Sequence, residues 1–292
     1  MQQPYVVARD LTKAFDDKPV LSGVSFEVQA GDVIGVLGKN GAGKTTLLEL
    51  VLGFTPASEG RVEVFGHESY RLPGAVKARV GFVPQQDELV NQLTAGHQLK
   101  LIRSFYKTWD DALIARLVAV WDIDLGERVK NMSVGQRQKL SILLALGHRP
   151  DLLLLDEPVA SLDPLARRQF LEQIVEIVAD GNRSVVFSSH IVADIERLAN
   201  RIWILKDGRL HWQGDFDDLR ESIVRLHLRG TQPLHSQVQI PNALAVDFTH
   251  NHATAIVHGW SAELEAQITA ITGAEIEVEG LTLEDIFLAM HR

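Results

Sequence analysis

The segment GVLGKNGAGKTT, residues 35–46, places a cluster of glycines and a lysine between an apolar run and a helix-like pattern. Within it, Gly38-x-x-x-x-Gly43-Lys44-Thr45 matches a phosphate-binding loop, a motif that requires a strand before it and a helix after it. The glycines let backbone N–H groups curl around a phosphate without interference from Cβ atoms, and the helix N-terminus adds a partial positive charge. This context predicts an α/β fold that is built around the strand–loop–helix unit.

Composition limits the class of protein further. The 292 residues include no cysteine, so neither disulfides nor thiolate metal sites hold the fold, which is typical of a reducing cytoplasm. Lys+Arg 29 against Asp+Glu 38 gives a net charge of −9, which disfavours a broad nucleic-acid-binding face. The longest apolar runs are shorter than a membrane span, and the N-terminal residues lack the pattern of a signal peptide. We therefore expect a soluble, intracellular protein.

Two acidic residues follow the apolar strand pattern LLLLDE, residues 152–157. The carboxyl ends of strands are where parallel α/β sheets hold their ligands. Asp156 is expected to support Mg²⁺ directly or through its waters, and Glu157 to polarise a water that attacks a γ-phosphate. Acidic residues at strand ends are also common without such a role, so the interpretation depends on the glycine-rich loop.

The segment NMSVGQRQK, residues 131–139, predicts a helix N-terminus. Ser133 and Gln136 have the spacing of a capping box, in which the two side chains satisfy free backbone amides. Taken alone, the segment is an ordinary helix cap. The same donors and the positive end of the helix dipole can also serve an anion.

Six motifs follow one another along the chain: GKNGAGKTT, GFVPQQ, MSVGQ, LLLLDE, SLDP and VVFSSH. With them the chain resembles the ATP-binding subunits of ABC transporters over about residues 5–218. The resemblance implies a P-loop NTPase fold with a mainly parallel core sheet, an antiparallel β subdomain and a helical subdomain at about residues 86–149. We expect an ATP-binding domain at residues 1–219 and a small C-terminal α+β domain at residues 220–292, whose last helix begins after Thr282.

The resemblance assigns roles to single residues, with ATP and Mg²⁺ as the implied ligands. Phe15 in LTKAF matches the aromatic that stacks on adenine, and the alternative is an exposed turn aromatic. Gln85 matches the Q-loop glutamine and His190 the switch histidine; a solvated loop residue and a backbone-bonded histidine are the alternatives. The residues expected to bind the nucleotide are Phe15, Gly38, Lys39, Asn40, Gly41, Ala42, Gly43, Lys44, Thr45, Thr46, Ser133, Gly135, Gln136 and Asp163. Those expected in catalysis are Glu157, His190 and Gln85, and those expected to support the metal are Thr45, Gln85 and Asp156.

In this family the motif written LSGGQ caps a helix that points at the γ-phosphate of ATP held by the other subunit. The resemblance therefore implies a head-to-tail sandwich of two subunits and two ATP molecules, with a homodimer or a heterodimer both open. Met132 replaces the family's leucine, and we expect this replacement to have a mild effect because methionine repacks easily. Val134 replaces its first glycine, and we expect weaker ATP-driven closure and a reduced rate. Ser161 stands where the D-loop often has glycine, a small departure.

The leading hypothesis is an ATPase subunit that powers a separately encoded integral membrane permease, with export favoured because TLEDIFLAM resembles the tail of ABC-2-type exporter ATPases. The protein would then be cytoplasmic and peripheral on the inner face of the cell membrane, with no nucleic-acid partner. Candidates for the permease-docking groove are Leu89, Leu93, Phe105 and Tyr106. A soluble ABC-type switch on a non-membrane partner and a non-hydrolysing ATP binder are the alternatives. Two nucleotide domains in one chain or a coiled-coil insertion would favour the switch, and this sequence has neither.

Overall fold

The structure, a computed structural model, describes residues 3–179, 181–189, 191–230 and 238–291. The chain forms two compact units, Met1–Gln213 and Gly214–Arg292. Within the described ranges, every helix is too short or too polar for a membrane crossing. Strands and helices are numbered below in chain order.

The first unit contains an antiparallel sheet of four strands, in the order β2-β1-β4-β5. Its strands are β1 (Val6–Phe15), β2 (Lys18–Val28), β4 (Glu59–Val64) and β5 (His67–Glu68). β1 pairs with both β2 and β4, and its buried residues alternate with more exposed ones as one covered face requires. The expected antiparallel β subdomain is confirmed.

A six-stranded sheet forms the centre of the unit, in the order β10-β9-β3-β8-β7-β6. Its strands are β3 (Val33–Leu37), β6 (Val80–Val83), β7 (Leu152–Asp156), β8 (Ser184–Ser188), β9 (Arg201–Lys206) and β10 (Arg209–Asp215). The pairs of β3 with β8 and β9, of β7 with β8 and of β6 with β7 are all parallel. Every residue of β3, β7 and β8 is buried, because layers on both faces cover the middle of a parallel sheet.

Seven helices complete the described part of the first unit. They are α1 (Lys44–Leu52), α2 (Gly74–Lys77), α3 (Ala95–Arg103), α4 (Asp111–Val120), α5 (Val134–Leu146), α6 (Pro164–Val178) and α7 (Val192–Leu198). α1 ends at Gly53, whose φ of 70° is the left-handed conformation of a glycine helix stop. α5 is likewise followed by a glycine, Gly147, at its C-cap.

The helical region is tied together by backbone hydrogen bonds between the segment before α3 and the segment before α5. Val129 N donates to Leu93 O at 3.0 Å, and Ala95 N donates to Glu127 O at 2.9 Å. Trp121, which follows α4, is buried in this region. The two segments are therefore held as one piece.

The second unit has a four-stranded antiparallel sheet, in the order β12-β13-β11-β14, with three helices. Its elements are α8 (Phe216–Ser222), β11 (Ile223–Arg229), β12 (Ala243–Thr249), β13 (His252–His258), α9 (Ala262–Thr272), β14 (Glu275–Gly280) and α10 (Leu283–Met290). Alternate residues of β11 and β13 face a core that includes Leu264 and Ile268 of α9. Thr282 caps α10 by accepting a hydrogen bond from Asp285 N, as the sequence predicted.

Two details of the second unit differ from the expectation. The expected domain boundary after residue 219 falls inside α8, which belongs to the second unit. Strand β12 was not predicted, because its polar Asp247 and Thr249 and its edge position leave it without a fully buried face.

We predict that Leu171→Ala destabilises the first unit, whereas Leu165→Ala on the same helix does not. Leu171 is 6% exposed and Leu165 is 66% exposed, so only the first change opens a cavity. The expected losses in the free energy of unfolding are about 2–5 kcal/mol for Leu171→Ala and less than about 0.5 kcal/mol for Leu165→Ala. Urea unfolding followed by tryptophan fluorescence checks both, and equal losses would contradict this packing of α6.

Candidate active site

The glycine-rich loop lies between β3 and α1, where the sequence placed it. Gly43 forms the N-cap of α1 with φ 105°, a conformation that favours glycine. A Cβ at Gly43 would lie 2.7 Å from Leu21 Cδ2 and 3.0 Å from Val20 O, so the loop also needs the space. No side chain caps α1, which leaves the amides of its first turn available to an anion.

Lys44 is buried and its ammonium has nearby oxygen partners. Nζ donates to Gly38 O at 2.8 Å and lies 3.9 Å from Glu157 Oε1. A buried ammonium must be compensated in this way, because an isolated charge in the protein interior is very costly. The side chain is therefore held inside the loop, where an anion bound in the loop would meet it.

Asp156 joins three parts of the chain at the end of β7. Thr45 Oγ1 donates to Asp156 Oδ2 at 2.6 Å, and Ser188 Oγ donates to Asp156 Oδ1 at 2.6 Å. Ser188 Oγ also accepts a hydrogen bond of 2.9 Å from Glu157 N. Glu157 has φ 48°, an uncommon value for a residue with a side chain, and such conformations cluster at functional sites.

These groups line one cleft of about 910 Å³. The lining residues are Phe15, Lys18, Pro19, Val20, Asn40, Gly41, Gly43, Lys44, Thr45, Thr46, Gln85, Asp156, Glu157, Asp207 and Gly208. Phe15 is 45% exposed, and Lys13 Nζ lies 4.6 Å from the centre of its ring. The structure thus brings the expected aromatic, the loop, Gln85 and the two carboxylates to one place. Gly38, Lys39 and Ala42 belong to the loop without lining the cleft.

Sequence reasoning missed several residues of this site. Pro19, Val20 and the turn Asp207–Gly208 contribute shape to the cleft wall, and no motif marks them. Ser188 could have been found, because β7 and β8 are adjacent parallel strands and Asp156 pairs with Ser188. Lys13 lies two residues before Phe15 on β1, but nothing in the sequence indicates that its ammonium approaches the ring.

A second set of expected residues lies outside this cleft. Ser133 accepts a hydrogen bond from Gln136 N at 3.2 Å, and Gln136 Oε1 accepts one from Ser133 N at 2.7 Å, which confirms the capping box of α5. Neither these two residues nor Gly135 and Asp163 are among the described residues that line the cleft. A Cβ at Gly135 would lie 3.1 Å from Ser161 O, so the cap of α5 is close to the loop before α6.

Asp163 caps α6, since its carboxylate accepts a hydrogen bond of 2.9 Å from Ala166 N. That bond is the main reason why the pKa of Asp163 is lowered. Burial, followed by the nearby charge of Asp156, raises the pKa of Glu49 on α1, so the negative field of the site reaches this helix. The expected switch residue His190 lies outside the described residues.

The fold and the cleft together define a class. A glycine-rich loop connects a strand of the parallel sheet to a helix, and a carboxylate at the end of another strand faces the threonine that follows this loop. This is the arrangement of a P-loop NTPase.

Comparison with known proteins identifies the family. The sequence model described as ABC transporter matches residues 21–160. The Nod factor export ATP-binding protein I of Burkholderia lata is 31% identical over 97% of this chain and 95% of its own length. The linearmycin resistance ATP-binding protein LnrL of Bacillus subtilis is 28% identical, with 96% of each chain covered. A solved structure described as the ATP binding subunit of an ABC transporter superposes with a TM-score of 0.68 at 29% identity, over 74% of this chain and 92% of that chain.

The chain therefore belongs to the ATP-binding subunits of ABC transporters and is an ATPase. Subunits of this family bind nucleotide, dimerise and act with membrane permeases.

We predict that Ser188→Ala lowers ATPase activity while Ser184→Ala on the same strand does not. Both serines are buried, but Ser184 Oγ donates to Gln29 O at 2.6 Å, away from the two carboxylates. Each change should reduce stability by about 1–2 kcal/mol. Ser188→Ala should also lower kcat by about tenfold, because ~1.4 kcal/mol of lost positioning of Asp156 and Glu157 corresponds to that factor.

Steady-state ATPase rates and thermal unfolding of the two variants check this prediction. Equal kcat values for both variants would show that Ser188 contributes to stability only.

Proposed function

We propose that this chain is the ATPase subunit of an exporter and that two copies enclose two ATP molecules at composite sites. The observation that carries the proposal is the separation of the nucleotide cleft from the cap of α5 on the same chain. Each chain would then hold half of two sites, and a second chain would complete them. A heterodimer with a related ATPase subunit would use the same geometry.

The first half-site has the groups that a triphosphate needs. The uncapped N-terminus of α1 and the Lys44 ammonium supply positive charge for the β- and γ-phosphates. Thr45 Oγ1 and Asp156 Oδ2, 2.6 Å apart, offer hard oxygen donors that fit Mg²⁺. When bound there with the nucleotide, Mg²⁺ would neutralise charge that develops on the phosphates. Phe15 would stack on the adenine through its exposed ring.

Glu157 is placed to act on the attacking water. It follows Asp156 directly, and its backbone is fixed by the hydrogen bond from its N–H to Ser188. A carboxylate in that position can orient a water and accept its proton, which is the kind of help that phosphoryl transfer requires. Gln85, which lines the same cleft, would sense the water and the metal, with His190 as the expected γ-phosphate contact.

The second half-site is the exposed cap of α5. Ser133 is exposed at the start of the helix, beside Val134, which is 65% exposed. The dipole of a helix with 13 residues makes its N-terminus attractive to the γ-phosphate of a nucleotide held by another chain. Gly135 leaves room for that phosphate to approach the backbone, and Asp163, at the N-terminus of α6, is expected to contact the nucleotide of the composite site.

An apolar surface on the helical region supports docking of a permease. Phe105, Leu101 and Val90 are exposed large hydrophobic residues in this region. Of the expected docking residues, Leu89 is buried and Leu93 is partly buried. Tyr106 stacks on His148 with ring centres 4.1 Å apart. Phe105, which is 72% exposed, is therefore the best candidate. The permease would be a separate integral membrane protein, which would keep this chain on the cytoplasmic face of the membrane.

Export is favoured over the alternative of a soluble switch by the names of the relatives. The relatives from Burkholderia lata and Bacillus subtilis are named for Nod factor export and for linearmycin resistance, and the matches cover 97% and 96% of this chain. Affinity purification of the tagged chain tests the choice: a multi-span membrane protein should copurify. Recovery of ribosomes or nucleic acid would favour the soluble switch instead.

We predict that Glu157→Gln binds Mg-ATP and forms a stable dimer, with kcat lowered by about 10²–10⁴-fold. The amide keeps the size of the side chain but cannot accept the proton of the attacking water. Size-exclusion chromatography with and without Mg-ATP and an ATPase assay measure both effects. Glu172→Gln, at an exposed ion pair with Arg168, is the matched control and should behave like the unmodified chain. A Glu157→Gln chain that stays monomeric in saturating Mg-ATP would count against the sandwich.

We predict that Val134→Gly strengthens ATP-driven dimerisation and raises the rate. Removing the exposed branched side chain relieves crowding at the composite site, and ~1 kcal/mol of relief corresponds to about fivefold in affinity. Val134→Leu, which keeps the bulk, should not show the gain. Unchanged dimerisation and kcat in Val134→Gly, with an intact fold by thermal unfolding, would refute the role assigned to Val134.

A further inference from the structure

Arg137 forms a network of hydrogen bonds that connects two functional segments of the chain. Its Nε lies 3.0 Å from Asp87 Oδ1 and 2.9 Å from Asp87 Oδ2, and its Nη2 lies 2.5 Å from Asp87 Oδ1. Its Nη1 donates to Asn91 Oδ1 at 3.1 Å. The planar guanidinium therefore engages both carboxylate oxygens and an amide oxygen at once, which fixes its orientation.

The two ends of this network belong to different half-sites. Asp87 and Asn91 lie on the loop that begins at Gln85, which lines the nucleotide cleft. Arg137 lies in the first turns of α5, and its N–H donates to Ser133 O at 3.0 Å. Arg137 is thus joined to the cap residue through the helix backbone and to the loop after Gln85 through its side chain.

The pair is better shielded from solvent than a comparable pair between α4 and α6. The side chains of Arg137 and Asp87 are 22% and 15% exposed, whereas those of Arg116 and Glu176 are 47% and 59% exposed. Arg116 also binds its carboxylate through two nitrogens, both at 3.0 Å. Charges that are shielded from solvent are screened less by salt and water. The Arg137–Asp87 pair should therefore couple the motions of its two segments more strongly than the exposed Arg116–Glu176 pair does.

Neighbouring contacts reinforce the same connection. Lys130 N donates to Asn91 O at 3.2 Å, and Gln136 Nε2 lies 3.4 Å from Glu127 Oε2. The loop after Gln85 and the segment before α5 are therefore bound at several points. The Arg137 side chain binds Asp87 and Asn91, and the Arg137 backbone belongs to the first turns of α5.

We infer that Arg137 is a positioning residue that couples Gln85 in one nucleotide cleft to the α5 cap serving the opposite nucleotide. It does not line the cleft itself. A shift of the Gln85 loop when a Mg-nucleotide binds would move Asp87, and the rigid fork of Arg137 would carry that shift to the first turns of α5. This inference rests on the proposed composite sites and adds a route by which occupancy of one site alters the other.

The first test is a double-mutant cycle with Arg137→Lys and Asp87→Asn. Arg137→Lys keeps the positive charge but loses the fork, so kcat should fall on the order of three- to thirtyfold. KM should change by less than about twofold, and the Hill coefficient for ATP should fall towards one. The double variant should lose no more than the worse single variant, because the two side chains act through each other. Arg116→Lys, the same change in the exposed pair, should keep the kcat and Hill coefficient of the unmodified chain.

Each of three kinetic results would overturn the inference. The first is an Arg137→Lys chain, folded by thermal unfolding, whose kcat and Hill coefficient match those of the unmodified chain. The second is a set of losses that simply add in the double variant. The third is an equal loss in Arg116→Lys, which would indicate a general weakening of the structure.

Amide hydrogen exchange with Mg-ADP tests this inference separately from the proposed dimer, because the experiment requires nucleotide binding but not a closed dimer. In the unmodified chain, Mg-ADP should change exchange in residues 85–91 and in residues 133–140. In Arg137→Lys, the change should persist in 85–91 and disappear in 133–140. Persistence of both changes would refute the coupling. Failure of Glu157→Gln to dimerise would refute the sandwich and leave this result intact.

Discussion

The pairing register of the parallel strands determines the site. Asp156 at the end of β7 pairs with Ser188 at the end of β8, and Ser188 pairs with Val36 of β3, just before the glycine-rich loop. A slip of one residue would turn Asp156 to the other face of the sheet. With the observed register, the hydroxyls of Thr45 and Ser188 reach the two oxygens of one carboxylate. The buried apolar residues of these strands therefore form the core and also fix the positions of the polar groups of the site.

The charges at this point explain why nucleotide and cation should bind together. Lys44 Nζ lies 3.9 Å from Glu157 Oε1, and Asp156 and Glu157 are two buried carboxylates next to each other in sequence. A phosphate alone would meet the helix N-terminus and Lys44 but would also be repelled by the carboxylates. A divalent cation beside Asp156 and Thr45 removes most of that repulsion. This balance supports the proposal of Mg²⁺ as the companion of ATP.

The sequence predicted most elements because each motif coincides with a local signal. The glycine-rich loop, the capping box of Ser133 and the buried run of β7 are each encoded in a few neighbouring residues. Strand β12 escaped because an edge strand with polar positions has little local pattern. Pro19, Val20 and Asp207 were not predicted because they shape the wall of the cleft through tertiary contacts. Many residue types can line such a wall, so no sequence motif marks these positions. The Arg137–Asp87 pair is likewise a product of the fold, since its partners are far apart in sequence.

The two residues at the cap of α5 that differ from the family motif, Met132 and Val134, lie in different environments. Met132 is buried, so its replacement of leucine is a question of packing within one chain, where methionine adapts well. Val134 begins α5 in a conformation that valine accepts, and its side chain points to solvent, so it costs this chain little. Any penalty from Val134 must therefore arise when another surface approaches the cap. A chain that folds normally but closes weakly onto its partner is the behaviour that such a residue would produce.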